Sequence, residues 1–115
     1  MENTIIYHNP RCSKSRQSLA LLEESQCAPE VVEYLKAPPT TGELRGLLGK
    51  LGLSAHEVLR TKEDEYAACG LTPDSSEEAI LAAIELHPIL LERPIVVKGD
   101  CAVIGRPPEN VRELL

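Results

Sequence analysis

The order of strands and helices in the first third of the chain leaves few folds open to it. Residues 4–7 are apolar and β-branched, which predicts a strand, and Asn9-Pro10 is a turn signal that ends it. Leucines at helical spacing predict a helix over residues 12–26, and residues 30–35 are predicted to form a second strand. A strand, a crossover helix and a strand make a βαβ unit, so the two strands are expected to be parallel.

The middle of the chain is predicted to be helical. A Ser or Thr followed three residues later by Glu is a capping box, which marks the start of a helix. Pro88 ends the last of these helices, because proline cannot continue a helix. The three capping boxes are Thr40-x-x-Glu43, Ser54-x-x-Glu57 and Ser75-x-x-Glu78.

A β-hairpin and a last helix are predicted at the C-terminal end. Residues 94–98 and 101–105 are apolar runs joined by a Gly-Asp pair at 99–100, which is typical of a hairpin turn. A proline pair at 107–108 predicts the first turn of a helix. The order βαβ, helices, ββα is that of the thioredoxin fold with a helical insertion between the second strand and the C-terminal hairpin. We therefore expect an α/β, thioredoxin-like fold in a single domain over residues 1–115.

Composition and charge disfavour several classes of function. The chain has a net charge of −6, no block of Lys or Arg that would form a basic face, and three Tyr but no Phe or Trp as stacking rings, so we expect no nucleic-acid partner. It has no leader pattern and no apolar run approaching the ~20 residues that span a bilayer, so we expect a cytoplasmic protein without a membrane partner. The four cysteines are then expected to be reduced thiols, and their spacing relative to the histidines is not that of a metal site. We expect no bound metal or cofactor.

Cys12 lies at the predicted start of the first helix. A helix N-terminus has unpaired N–H groups and a partial positive charge, which lower the pKa of a thiol placed there. Basic residues in the same turn favour the thiolate further, and His8 is close enough to supply a positive charge or a hydrogen bond. We interpret Cys12 as an activated nucleophile, and the alternative is a buried structural cysteine. The basic residues are Arg11, Lys14 and Arg16.

Ser15 occupies the position at which dithiol oxidoreductases have their second cysteine. With serine there, Cys12 cannot form a disulfide across one helical turn. Cys27 is at the far end of the helix, roughly 22 Å away at about 1.5 Å per residue. Cys69 and Cys101 stay open as disulfide partners of Cys12, because the fold can bring residues distant in the chain close to it. The simplest interpretation is that the partner thiol of Cys12 belongs to another molecule.

Arg60, Arg93 and Arg106 lie at predicted breaks between elements, and two of them adjoin a proline. A planar guanidinium binds a tetrahedral oxyanion at two points. In a thioredoxin fold the loop before the hairpin lies against the nucleophile's turn, and its proline is commonly cis. Arg93 is therefore expected near Cys12, and its bond to Pro94 is predicted to be cis. The alternative is that each arginine is a solvated surface charge.

These motifs in combination resemble the glutaredoxin-coupled arsenate reductases, the ArsC family of the ArsC/Spx superfamily, and most of all its short-chain branch. The resemblance covers nearly the whole chain. The motifs are His8-Asn-Pro-Arg-Cys12-Ser-Lys-Ser-Arg16, Tyr34-Leu-Lys-Ala-Pro-Pro, Leu59-Arg60-Thr-Lys-Glu, Glu92-Arg93-Pro94-Ile95-Val96-Val97 and Ile104-Gly-Arg106-Pro107.

The resemblance implies a site and a set of reactants. Cys12 would be the nucleophile toward arsenate or another oxyanion, and His8 would help to ionise it. Glutathione would be the co-substrate and glutaredoxin the protein partner. Arg60, Arg93 and Arg106 would hold the oxyanion, and we expect Ser15, Arg16 and Pro94 to support the site.

Two other classes of function stay open. One is a Spx-like, redox-responsive transcription regulator that binds RNA polymerase, a family that shares the Arg-Pro-Ile stretch. The Gly-Arg-Pro-Pro segment with Arg106, together with Arg60, argues against it. The other is a monothiol glutaredoxin-like thiol-exchange protein or a glutathione transferase, for which three converging arginines are unnecessary.

Overall fold

The structure, a computed structural model, describes residues 3–115. These residues form two compact units. The sheet unit consists of the chain up to Ala37 together with Arg93–Leu115, and the helical unit is Pro38–Glu92. The expectation of one domain over residues 1–115 stays a prediction.

The strands of the sheet unit are β1 (Thr4–Tyr7), β2 (Glu30–Val32), β3 (Ile95–Lys98) and β4 (Cys101–Ile104). They form one mixed sheet in the order β2-β1-β3-β4. β1 pairs with β2 in parallel, whereas the β1–β3 and β3–β4 pairs are antiparallel. The predicted βαβ unit and C-terminal hairpin are therefore confirmed, and with them the thioredoxin-like α/β fold.

Helix α1 (Ser13–Glu24) connects β1 to β2 and packs on the sheet. Leu22 of α1 is fully buried in a cluster with Ile6 of β1, Val96 of β3 and Val111 of the last helix. β3 lies between two strands and its first three residues are buried, whereas burial alternates along β1. This cluster packs α1 and the last helix against β1 and β3, the two central strands of the sheet.

Helix α2 (Thr41–Leu51) opens the helical unit and begins as the sequence predicts. The Thr40 hydroxyl accepts a hydrogen bond from the Glu43 amide at 3.2 Å, and the Glu43 carboxylate accepts one from the Thr40 amide at 3.0 Å. Gly52 ends the helix with a φ of 69°, a left-handed conformation that glycine adopts without cost. The buried face of α2 consists of Leu44, Leu47 and Leu48.

The rest of the helical unit differs in detail from the sequence prediction. Helix α3 (Asp64–Ala68) was not predicted, and the segment after Ser54 forms a short 3₁₀ helix, Ala55–Val58. Helix α4 (Glu77–Leu86) is capped by Ser76, whose hydroxyl accepts from the Ala79 amide at 3.1 Å. The prediction of Ser75 as the cap was wrong, because its hydroxyl instead accepts from the Thr72 amide at 2.8 Å.

Two predicted elements of the sheet unit are shorter or tighter than expected. β2 ends at Val32, not at residue 35, because the Lys36 and Ala37 amides both bond to the Glu33 carbonyl and close a turn. The last helix, Pro108–Leu114, is a 3₁₀ helix. Within residues 3–115, no helix combines the length and the apolar character needed to cross a membrane.

Candidate active site

The turn between β1 and α1 places Cys12 at the start of the helix. The Asn9 carbonyl accepts from the Cys12 amide at 3.0 Å, and the Asn9 side chain accepts from the Arg11 amide at 3.0 Å. These two bonds close the turn that the Asn-Pro pair predicts. Cys12 is the N-cap of α1, and it is 9% exposed. The prediction of a cysteine at a helix N-terminus is confirmed.

The pKa of the Cys12 thiol lies below its ordinary value. Burial raises the pKa of the thiol, but the sum of the other contributions lowers it further than burial raises it. The backbone N–H of Ser15 is the largest of these, followed by the positive charge of Arg93. The N–H of Lys14 and the charge of Arg106 act in the same direction. The thiolate is therefore populated at a lower pH than for a free cysteine.

The register of the sheet explains why two distant arginines reach the thiol. Tyr7, at the end of β1, pairs with Ile95 at the start of β3, and Ile95 pairs with Ile104 at the end of β4. The loops after β1, before β3 and after β4 therefore meet at one end of the sheet. These loops carry Cys12, Arg93 and Arg106, respectively.

Arg106 makes the most direct contact with the thiol. Its Nη2 donates to the sulfur of Cys12 at 3.5 Å, and its Nε donates to the Arg93 carbonyl at 2.6 Å. The predicted cis peptide between Arg93 and Pro94 is present, and the bond between Arg106 and Pro107 is also cis. Two of the three predicted arginines are thus brought together with Cys12.

His8 and Ser15 form a buried pair beside the nucleophile. His8 Nδ1 lies 2.6 Å from the Ser15 hydroxyl oxygen, and that oxygen accepts a hydrogen bond from the Asn9 amide at 3.0 Å. Burial lowers the pKa of His8; Glu33 raises it and Arg16 lowers it, by smaller amounts. The imidazole is therefore mainly neutral at neutral pH and bonds to Ser15. Its predicted role in ionising Cys12 stays a prediction.

The remaining predicted supports lie around the same turn. Arg16 Nη1 donates to the Pro10 carbonyl at 2.9 Å, which ties the exposed arginine to the turn backbone.

The four cysteines, Cys12, Cys27, Cys69 and Cys101, are all free thiols. Cys101 is exposed, whereas Cys27 and Cys69 are half-buried.

Arg60 belongs to the helical unit, where it lies between two carboxylates. Its Nη2 is 3.1 Å and its Nε 3.2 Å from Glu63 Oε2, and its Nη1 is 3.3 Å from Glu92 Oε1. Its backbone amide donates to the Leu90 carbonyl at 2.7 Å. Its predicted part in holding an oxyanion stays a prediction.

Comparison with known proteins identifies the family. Residues 7–114 match the ArsC family. The chain belongs to the ArsC family. It is similar to the arsenate reductase of Neisseria meningitidis serogroup A, with 52% identity over 112 residues that cover 96% of each chain. It is 54% identical over 112 residues to the uncharacterised Escherichia coli protein YfgD, which covers 96% of this chain and 94% of that protein.

A solved structure supports the same assignment. The arsenate reductase of Vibrio cholerae superposes with a TM-score of 0.95 at 46% identity, covering 99% of this chain and 98% of the other. The thioredoxin-like fold inferred from the strand order is therefore shared with a close ArsC relative.

In this ArsC-family chain, two residues next to Arg106, Gly105 and Asn110, were not predicted from the sequence to belong to the site. Gly105 donates its amide to the Pro94 carbonyl at 2.9 Å. The Asn110 side chain donates to the carbonyls of Ile104 and Arg106, both at 3.2 Å. Only the position of Asn110 one turn after a proline pair hinted at such a role, because a short amide side chain there reaches back to preceding carbonyls.

Proposed function

We propose that this ArsC-family protein is an arsenate reductase in which Cys12 is the nucleophile. The observation that carries the proposal is a thiol of lowered pKa with a guanidinium nitrogen 3.5 Å from its sulfur. A thiolate beside guanidinium groups suits a tetrahedral oxyanion, which the cations bind and the sulfur attacks. The relatives from Neisseria meningitidis and Vibrio cholerae are named arsenate reductases, which supports arsenate as the substrate.

The proposed reaction is a two-electron reduction that uses two thiols. The Cys12 sulfur attacks arsenic(V) and displaces hydroxide, so that a sulfur–arsenic bond forms. The thiolate of glutathione then attacks the Cys12 sulfur, a disulfide forms, and arsenic leaves as arsenite with the electron pair of the broken bond. Glutaredoxin reduces the mixed disulfide. Ser15 in place of a second cysteine accords with a resolving thiol that comes from solution, and no bound cofactor is required.

We assign Arg60, Arg93 and Arg106 to binding of the oxyanion. Arg93 and Arg106 carry the stronger support, because both lower the pKa of the Cys12 thiol and so lie within electrostatic reach of the attacking atom. Arg60 rests on the family resemblance. His8, Ser15, Arg16 and Pro94 are assigned a supporting role, and we expect the protein to work in the cytoplasm, where glutathione is abundant.

The test is arsenate-dependent oxidation of NADPH with glutathione, glutaredoxin and glutathione reductase supplied. Wild type should turn over, and omission of glutaredoxin should slow the reaction. Cys12→Ser should lower turnover by about 1000-fold or more, because the nucleophile is lost. The matched control is Cys101→Ser, which removes an exposed thiol and should leave the rate unchanged.

Two outcomes would reject the proposal in favour of another class. A Spx-like regulator would give no arsenate turnover with the complete thiol system. A monothiol glutaredoxin-like carrier would exchange thiols with glutathione through Cys12 but leave arsenate unreduced.

A further inference from the structure

Gly105 lies where the end of β4 approaches α1 more closely than a side chain allows. A Cβ at this position would be 2.8 Å from Pro94 Cγ and 3.3 Å from Ser18 Cβ, and closer still to the Ser18 hydroxyl. Gly105 is buried, and it is not among the residues with positive φ. The requirement for glycine is therefore one of space, not of backbone conformation.

The residue that follows Gly105 is Arg106, whose guanidinium contacts the Cys12 sulfur. Three further hydrogen bonds hold this segment in place: the Gly105 amide donates to the Pro94 carbonyl, and the Asn110 side chain donates to the carbonyls of Ile104 and Arg106, on either side of Gly105. The backbone of this segment is thus fixed from three directions: by α1, by the residue that precedes β3, and by the last helix.

The contact between Arg106 and Cys12 depends on where this backbone lies. The sulfur is at 3.5 Å from Arg106 Nη2, and the Arg106 Nε bond to the Arg93 carbonyl orients the guanidinium plane. A side chain at Gly105 would push the segment away from α1. Since both the hydrogen bond and the charge interaction weaken with distance, such a shift reduces the support that Arg106 provides to the thiolate.

We propose that Gly105 and Asn110 are positioning residues, which hold the Arg106 guanidinium against the Cys12 sulfur by fixing the segment between β4 and the last helix. Neither is a catalytic residue, because each acts only through Arg106. The part of this inference that concerns substrate binding rests on the proposed function, whereas the part that concerns the thiol does not.

The first test is Gly105→Ala, with alkylation of each cysteine by iodoacetamide followed by mass spectrometry over a range of pH. Below neutral pH, the Cys12 rate should fall by about 3- to 10-fold, the loss expected when one charge-assisted hydrogen bond to the thiolate is weakened. Above pH ~9, where an ordinary thiol is also ionised, the rate should return to that of wild type. A merely structural change in access would instead lower the rate at every pH.

The matched control is Gly49→Ala. Gly49 is an exposed residue of α2, and a Cβ there would meet nothing within 4 Å. This variant should leave the Cys12 profile unchanged. Cys27, Cys69 and Cys101 serve as internal references, because their rates should not respond to Gly105→Ala.

A compensating substitution tests the spatial argument directly. Ser18→Ala removes the hydroxyl nearest to the added Cβ, and that hydroxyl has no hydrogen-bond partner within residues 3–115. Alone, Ser18→Ala should leave the Cys12 profile as in wild type. Combined with Gly105→Ala, it should restore part of the lost Cys12 rate, because the contact with the Ser18 hydroxyl is gone. The recovery should be incomplete, because the contact with the Pro94 ring remains.

Asn110→Ala provides a test that adds no atoms to the core. Like Gly105→Ala, it should lower the rate of Cys12 alkylation below neutral pH. If Gly105→Ala does not fold, the result with Asn110→Ala decides whether the proposal stands. Wild-type pH profiles in the folded variants would overturn the proposal. If wild type shows no arsenate turnover, the proposed function fails, but the alkylation profiles still decide this inference. If wild type does turn over arsenate, Gly105→Ala and Asn110→Ala should also raise KM for arsenate more than they lower kcat.

Discussion

Arg106 and Arg60 are the same residue type in opposite electrostatic surroundings. In the sheet unit, Arg106 donates to the sulfur of Cys12 at 3.5 Å and to the Arg93 carbonyl at 2.6 Å. In the helical unit, Arg60 bonds to the carboxylates of Glu63 and Glu92 at 3.1 and 3.3 Å. The position of an arginine in a loop therefore does not by itself show its role. The groups that it faces decide whether its charge stabilises a thiolate or is balanced by carboxylates.

The largest effects are expected on kcat/KM for arsenate, and they should be larger for the arginines beside Cys12 than for Arg60. Losing a charge-assisted bond to arsenate costs about 1.5–3 kcal/mol, so Arg93→Ala and Arg106→Ala should lower kcat/KM by about 10- to 100-fold. Arg60→Ala should cost about 10-fold, because carboxylates already share its guanidinium. Steady-state kinetics with the coupled thiol system measures these values.

Two further variants control this experiment. Arg112→Ala removes an exposed arginine of the last helix and should leave kcat/KM unchanged. Arg106→Lys should recover only part of the activity, because an ammonium lacks the planar fork of a guanidinium. Wild-type kinetics after replacement of all three predicted arginines would refute the oxyanion site.

A smaller effect should appear in the pH dependence of Cys12. Because its pKa is lowered in the folded protein, Cys12 should react as a thiolate at pH values where an ordinary thiol is still protonated, and it should lose reactivity as pH falls through its own pKa. At pH 6 to 7, its alkylation rate should exceed that of exposed Cys101 by about tenfold or more.

The same measurement sharpens the contrast between the arginines. Arg106→Ala should shift the Cys12 profile to higher pH, because the guanidinium charge lowers the pKa of the thiol. Arg60→Ala should leave the profile in place. A Cys12 that titrates like an ordinary, unperturbed thiol would contradict its role as an activated nucleophile.

The smallest effect concerns the carboxylate beside Arg60. Glu63→Gln keeps a hydrogen-bond acceptor but removes the negative charge, so Arg60 should attract an anion more strongly. If Arg60 binds arsenate, KM should fall by about 2- to 5-fold, with a loss of about 1 kcal/mol or less in the free energy of unfolding. The exposed Glu57→Gln is the control, and an unchanged KM in Glu63→Gln would remove Arg60 from the substrate site.

Local pattern predicted most of the fold, and it failed where hydrogen bonds compete. Alternating and helical apolar spacing located β1, α1, β3 and β4, because each buries one face or both faces against the same core. The pattern did not show that the amides after Val32 would bond to the Glu33 carbonyl and end β2. It also favoured Ser75 over the adjacent Ser76 as the cap of α4, because only Ser75 is followed three residues later by Glu, whereas the hydroxyl that accepts from the first turn of the helix is that of Ser76.

By itself, the sequence determined that Cys12 starts a helix after an Asn-Pro turn, because both the turn and the cap are made by residues within a few positions of one another. The tertiary structure decided which cations support its thiolate. From residues close in the chain, the sequence pointed to Arg11, Lys14 and Arg16 as the cations that favour the thiolate, and only the predicted fold led us to expect Arg93 near Cys12. In the structure, the guanidinium groups that lower the thiol's pKa belong to Arg93 and Arg106. The physical reason is the antiparallel pairing of β3 with β1 and β4, which brings Arg93 and Arg106, the latter 94 residues from Cys12 in the chain, to the same end of the sheet as the thiol.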